Sequence, residues 1–156
     1  MPTLQERIQS AGIVWPEPSP AAGNYLPFVE ADGWIHVSGQ LPMVSGQLVA
    51  TGKVGADVSL DEAYQAARVC AINGLALIRQ ALGGSDEALE RVRIVRVGGF
   101  VASAAGFTAQ PRVINGASDL LVEILGEAGR HARAAVGVAE LPLGAAVEVE
   151  FLARVR

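Results

Sequence analysis

Cysteine is almost absent. Cys70 stands alone among 156 residues, which excludes an internal disulfide and any cysteine-based metal cluster. Set among alanines in a helical stretch, it is expected to be a small buried apolar group. Histidine is nearly as scarce: His36 and His131 have neither an HxH nor an HxxxH partner, so zinc-site spacing is missing. Aromatic residues make up 5% of the chain, too few for the stacking platforms used by RNA-binding proteins. Positive charge is thin as well. Twelve Lys and Arg stand against sixteen Asp and Glu, a formal net charge of −4, which argues against a nucleic-acid partner. Only Arg91, Arg93 and Arg96 cluster, either as the solvated face of a strand or as a small binding patch.

Long apolar runs are lacking too. No stretch approaches the roughly 18 residues of a membrane span, so no membrane partner is expected. The opening segment has no basic region followed by an apolar core, so it does not read as a signal peptide. A cytoplasmic protein is expected. The sequence also has no GxGxxG after a strand, no GxxxxGK[ST] and no GxSxG, leaving nucleotide-binding and serine-hydrolase readings without their basic parts.

What is present is apolar and small. Hydrophobic residues are 51% and charged residues 18%, with a mean hydropathy of +0.34. The length suits one domain spanning residues 1–156, and the apolar surplus hints at burial between subunits. Residues 1–24 read as a short helix, Thr3 to Ser10, and an arm with Pro16, Pro18 and Pro20 at every second position, which favours extended chain. Ile13, Val14 and Trp15 are expected to pack that arm on the body. Tyr25–Glu30, Trp34–Ser38 and Gln47–Ala50 read as strands of an opening meander, with turns at Asp32-Gly33 and Ser45-Gly46.

Ser59 and Glu62 match a capping box, and the helix they open is expected to reach Leu82 before Gly83-Gly84. Its apolar stripe runs through Ala63, Ala66, Ala67, Cys70, Gly74, Leu77, Ile78 and Ala81, small enough to approach a sheet closely. Arg91–Ser103 reads as a long strand with a bend or bulge at Gly98-Gly99. A second helix is expected from about Pro111 or Val113 to Ala128. Arg133–Ala139 and Ala145–Val155 read as a final pair of strands in a hairpin. The order βββ-α-β-α-ββ gives an α+β domain with two helices on one face of a mixed sheet of about six strands. The other face is left open, and association through it would remove an aggregation risk.

Several segments carry a specific resemblance. Gly23-Asn24-Tyr25, Val37 to Pro42, Ile114-Asn115, Ala132 to Val136, Leu141-Pro142 and Val147 to Glu150 resemble, in order and spacing, the signature segments of the YjgF-like reactive-intermediate deaminase family over about residues 23 to 155. The resemblance implies a chorismate-mutase-like fold, a homotrimer, and clefts at the subunit interfaces. The implied activity is cofactor-free hydrolysis of 2-imino acids and their enamine tautomers to 2-oxo acids and ammonia. Some members carry a label as endoribonucleases. Non-catalytic capture of a small carboxylate ligand is the second reading; endoribonuclease activity is the third, opposed by the acidic balance, the missing His pair and the lack of aromatic platforms.

Arg133 is the leading candidate. It opens an otherwise uncharged stretch, Ala132 to Ala139, and a guanidinium there suits a carboxylate bidentately. A salt bridge to one of the sixteen acids is the alternative from the residues alone; the resemblance implies the carboxylate-binding arginine. Glu148 is second, a possible acid–base relay for water attack on an imine carbon, or else an exposed strand Glu. Glu150 shares its face, and the resemblance favours Glu148. On the expected hairpin, Arg133 and Glu148 could point into one cleft. Tyr25 could donate to substrate or fill an interface, and Ser38-Gly39 could present backbone to a ligand or form a strand-end turn. Asn115 could contact ligand or cap a helix. The resemblance implies a pocket at all four.

The sequence also departs from the pattern. Ala135 stands where the well-known deaminase branch commonly has a cysteine, and Gly137 where it often has an acid. Gly52 to Gly55 and Asn115 to Leu121 resemble a longer branch of the family. Because the implied chemistry uses no cysteine nucleophile, Ala135 need not abolish the hydrolysis, and it bears on substrate preference.

Overall fold

The computed structural model describes residues 1–17 and 20–156; of the proline-rich arm, Pro18 and Ser19 lie outside the described residues. The opening helix, α1 (Leu4–Ser10), is started by Thr3, whose side chain accepts from the Glu6 amide while Glu6 reaches back to the Thr3 amide. Such a cap contributes about 1 kcal/mol. Trp15 and Ile13 anchor the arm as expected, whereas Val14 is exposed. Trp15 packs against the core, and its Nε1 donates to Asp86 Oδ1 at 3.0 Å, with the Arg79 guanidinium 5.7 Å from its ring centroid.

Two strands follow, β1 (Phe28–Ala31) and β2 (Trp34–Gln40). They pair antiparallel across Asp32 and Gly33, whose φ values of 52° and 77° are the two left-handed positions of a tight hairpin turn. The meander ends there. Met43–Val44 (β3) and Gln47–Leu48 (β4) pair only with each other, as a separate ribbon. The expected third strand therefore does not join the sheet, and the sheet has five strands, not six.

The long helix α2 (Leu60–Ala81) begins at the Ser59–Glu62 capping box and buries the predicted stripe. Gly74 lies under Phe151, where a Cβ would sit 2.6 Å from the ring's Cδ2. Strand β5 (Val92–Ala102) leads to α3 (Gln110–Leu125), then β6 (Ala132–Val138) and β7 (Val147–Val155). The sheet order is β1-β2-β7-β5-β6. The β5–β6 pair is parallel, which requires a crossover, and α3 supplies it.

Both long helices cover one face. Ile35, Ile94, Val97, Val149 and Phe151 from the sheet meet Leu75, Ile78, Ile114 and Leu121 from the helices, each fully buried apolar side chain contributing about 1.5–3 kcal/mol. The helices themselves touch at Gly116, where a Cβ would lie 2.9 Å from the Tyr64 carbonyl carbon and 3.2 Å from the Arg68 amide nitrogen.

The irregularity in β5 falls between Ile94 and Arg96 and not at Gly98-Gly99, which keep regular register with Ala134 and Ala135. Their lack of side chains serves packing instead. A Cβ at Gly98 would collide with Glu150 on the open face, and one at Gly99 with Ile114 of α3. The open face carries His36, Glu148, Glu150, Leu152 and Phe100 in cross-strand register. No helix is long and apolar enough to cross a membrane among the described residues.

Candidate functional site

Arg133 sits on β6, at the edge of the sheet. Register places it beside Val97, a core residue, so its side chain leaves the sheet on the helix side, where α3 passes. There Nη1 donates to Asn115 Oδ1 at 2.9 Å and to Ser118 Oγ at 3.1 Å, and Nη2 donates to the Pro111 carbonyl at 3.3 Å. All three acceptors are neutral. Arg68, Arg79, Arg96 and Arg130 pair with acids, whereas Arg133 has no carboxylate within ion-pair distance among the described residues. Three of the five guanidinium N–H groups are thus committed and two remain, the number a carboxylate accepts in a bidentate pair.

Asn115 is not a helix cap. The helix starts at Gln110, with Ala109 at the N-cap position and Pro111 in the first turn. Asn115 lies farther along, and Ser118 follows three residues later on the same face.

Glu148 lies elsewhere. Its register row runs through Phe100 of β5 to Val136 of β6, three residues from Arg133, so the two side chains leave opposite faces of the sheet. The expected β6–β7 hairpin does not form, because β5 intervenes. The chain after β6 is drawn away from a tight turn. Lys53 Nζ donates to the Ala139 carbonyl at 2.7 Å and pairs with Glu140 at 3.3 Å, and the Gly52 amide donates to the Gly144 carbonyl. That anchorage carries the connection past the end of β5. Within one chain Arg133 and Glu148 share no cleft.

Of the sequence-predicted residues, Gly39 meets Glu148, and Ser38 and Tyr25 lie near Gly39. Gly39 is in direct contact with the acid, since a Cβ at position 39 would be 2.9 Å from Glu148 Cδ. Ser38 Oγ donates to the Leu26 carbonyl at 2.6 Å, and its amide to that of Pro27, tying the segment after Tyr25 to β2. Tyr25, half-exposed, lines a cavity of about 170 Å³ with Pro27, Gly39, Leu41, Met43 and Leu77. Asn73 holds that rim by donating to the Leu41 and Met43 carbonyls.

The electrostatics separate the two neighbouring acids. Burial, and then the charge of Glu150, push the Glu148 carboxyl above its ordinary value. Glu150 has its own cation, Arg96, at 3.4 Å. Glu148 has none among the described residues.

Two residues that sequence reasoning passed over stand behind Arg133. His131 Nε2 is 2.9 Å from Ser118 Oγ, and its Nδ1 is 2.6 Å from the Gly129 carbonyl. Burial holds the imidazole pKa below its ordinary value, against the opposing hydrogen bond to the Gly129 carbonyl and with a smaller push from the nearby Arg133 charge. The sequence did hold a signal for both: His131 is two positions before Arg133, just ahead of β6, and Ser118 is three after Asn115 on a helix. No His, Cys, Asp and Glu group suited to a metal ion occurs among the described residues.

Comparison with known proteins agrees with this architecture. The model of the YjgF/chorismate-mutase-like endoribonuclease family matches residues 5–155. Protein TCP17 of Trypanosoma cruzi is 44% identical over 146 residues, which is 93% of this chain and 89% of that protein. The crystal structure of Atu1372 from Agrobacterium tumefaciens, a protein of unknown function, is 43% identical, with a TM-score of 0.88 over 97% of this chain and 91% of its own. Escherichia coli TdcF, solved with bound serine, shares the fold at 23% identity, with a TM-score of 0.63 over 89% of this chain and 94% of its own. With its signature segments, its mixed sheet under two helices and a family match along nearly its whole length, this chain belongs to the YjgF/chorismate-mutase-like family.

Proposed function

We propose that the protein hydrolyses reactive 2-imino acids, and their enamine tautomers, to 2-oxo acids and ammonia at a cleft shared by two copies of the chain. One observation carries the reading. Arg133 is held in place by three neutral oxygens and not by an acid, so its charge is available to a small anion. That TdcF holds serine, a small amino carboxylate, is in keeping with such a ligand.

The opposite facing of Arg133 and Glu148 makes the second copy necessary. The β6 edge of one protomer brings Arg133, with Asn115 from the adjoining helix, and another brings Glu148 from its open sheet face, with Gly39 beside it and Ser38 and Tyr25 from the neighbouring segments. The family resemblance implies a homotrimer for that assembly, in which the open sheet face is covered by a neighbouring copy. Arg133 binds the substrate carboxylate. Glu148 takes a proton from water as the water oxygen bonds to C2 and the C=N π electrons move to nitrogen, and it passes that proton to the nitrogen to give the carbinolamine. Glu148 then takes the carbinolamine hydroxyl proton and delivers it to the nitrogen as the C–N bond breaks and the C=O bond forms, releasing ammonia and the 2-oxo acid. Water is the only co-reactant. A carboxyl raised above its ordinary value suits this exchange, because a relay works best when its pKa approaches the operating pH.

The test generates 2-iminobutanoate with an amino-acid oxidase and follows its loss. Wild type accelerates the loss, and Arg133→Ala and Glu148→Gln each slow it by about 100-fold. Co-refolding the two inactive variants restores activity, because some interfaces then pair one intact half with the other. Equal rates for wild type and Arg133→Ala overturn the reading, and saturable binding of 2-oxobutanoate without turnover replaces it with simple carboxylate capture.

A further inference from the structure

Behind the Arg133 guanidinium lies a chain of hydrogen bonds whose directions are set by its far end. The Gly129 carbonyl can only accept, so at 2.6 Å the His131 Nδ1 must carry the hydrogen. In the neutral imidazole Nε2 then presents a bare lone pair, 2.9 Å from Ser118 Oγ, and the hydroxyl hydrogen of Ser118 goes to it. That leaves the oxygen lone pairs of Ser118 facing Arg133 Nη1 at 3.1 Å. The neutral state is consistent with the surroundings: His131 is half-buried, and the nearest charge is the like charge of Arg133. The neighbouring Arg130 and Glu127 are paired with each other at 2.9 Å.

We propose that Ser118 and His131 are positioning residues for the anion site: the imidazole commits the Ser118 hydroxyl as an acceptor, and the hydroxyl holds the guanidinium without neutralising it. This rests on the reading of Arg133 as the carboxylate binder, and adds how that residue is kept both ordered and uncompensated. A carboxylate in the place of Ser118 would order the guanidinium equally well but would compete with the ligand. A serine without the histidine would be free to turn its hydrogen toward the guanidinium. The pair avoids both.

The experiment compares Ser118→Ala, Ser118→Thr, His131→Leu and His131→Gln with wild type and Arg133→Ala. It measures imine hydrolysis, calorimetric titration with 2-oxobutanoate, and melting temperature. Ser118→Ala and His131→Leu are expected to raise both the KM for 2-iminobutanoate and the Kd for 2-oxobutanoate by about 5–30-fold, with kcat within about twofold of wild type. Ser118→Thr keeps a hydroxyl and His131→Gln keeps an acceptor, and both recover most of that loss. A lowered melting temperature with KM and Kd unmoved would mean that the pair is merely structural, and so would a loss that Thr and Gln fail to recover. If Arg133→Ala raises KM and Kd while the Ser118 and His131 variants do not, this inference alone fails. If Arg133→Ala changes neither, the carboxylate reading itself falls, and this one with it.

Discussion

The Glu148 carboxylate rests against the backbone of Gly39, in space that any Cβ at position 39 would fill. The glycine therefore does more than end a strand: it gives the acid somewhere to lie. Gly39→Ala is expected to push the carboxylate aside while leaving the core intact, since the displaced group is only half-buried and can move toward solvent. A displacement of about 1 Å costs on the order of 100-fold in rate. Imine consumption should fall by about 10- to 100-fold, with a melting temperature close to wild type.

Glu148 carries a cost in stability. Burial and Glu150 raise its carboxyl pKa above the ordinary 4.5, so the folded chain binds this proton more tightly than the unfolded chain does. The penalty is present above the folded pKa and fades as pH falls through it toward 4.5 and below. Glu148→Gln removes the charge. The variant should melt about 1–2 °C above wild type at pH 7, lose that advantage in acid, and hydrolyse imines poorly. Paired melting curves at pH 7 and pH 4 check the sign.

Gly116 is a glycine inside a helix, where alanine would ordinarily gain about 1 kcal/mol. Here a Cβ would press on the Tyr64 and Arg68 backbone of the facing helix, which cannot swing away as a side chain can. Overpacking costs about 1–3 kcal/mol and wins. Gly116→Ala should lower Tm by about 2–8 °C, measured by calorimetry.

The lone thiol should be silent. Cys70 is fully buried, and burial raises its pKa well above the ordinary value, which suppresses the reactive thiolate. A disulfide reagent should modify one thiol per chain in denaturant and none in the native protein.

Much of this fold was legible because its signals are local. The Ser59 capping box, the Asp32-Gly33 turn and the small-residue stripe of α2 each act over a few residues, and all form where expected. What failed depends on partners distant in sequence. Gln47–Leu48 has strand character but pairs with Met43–Val44, and nothing local distinguishes a sheet strand from a ribbon. The order β7-β5-β6 is accompanied by contacts of Lys53 and Gly52 with the connection after β6, between segments far apart in the chain. The same error placed Arg133 and Glu148 in one cleft. The neutral surroundings of Arg133 were invisible for a similar reason, since α3 and β6 bring Asn115, Ser118 and His131 together only after the helix docks.

The crossover through α3 also gives the protein an order of assembly. A hairpin such as β1–β2 zips from its turn, but β6 can lie parallel to β5 only once the intervening helix has been laid across the sheet. The β6 edge that carries Arg133 is then expected to be among the last parts to form and the first to open. Substitutions that loosen it should hasten unfolding far more than they slow folding.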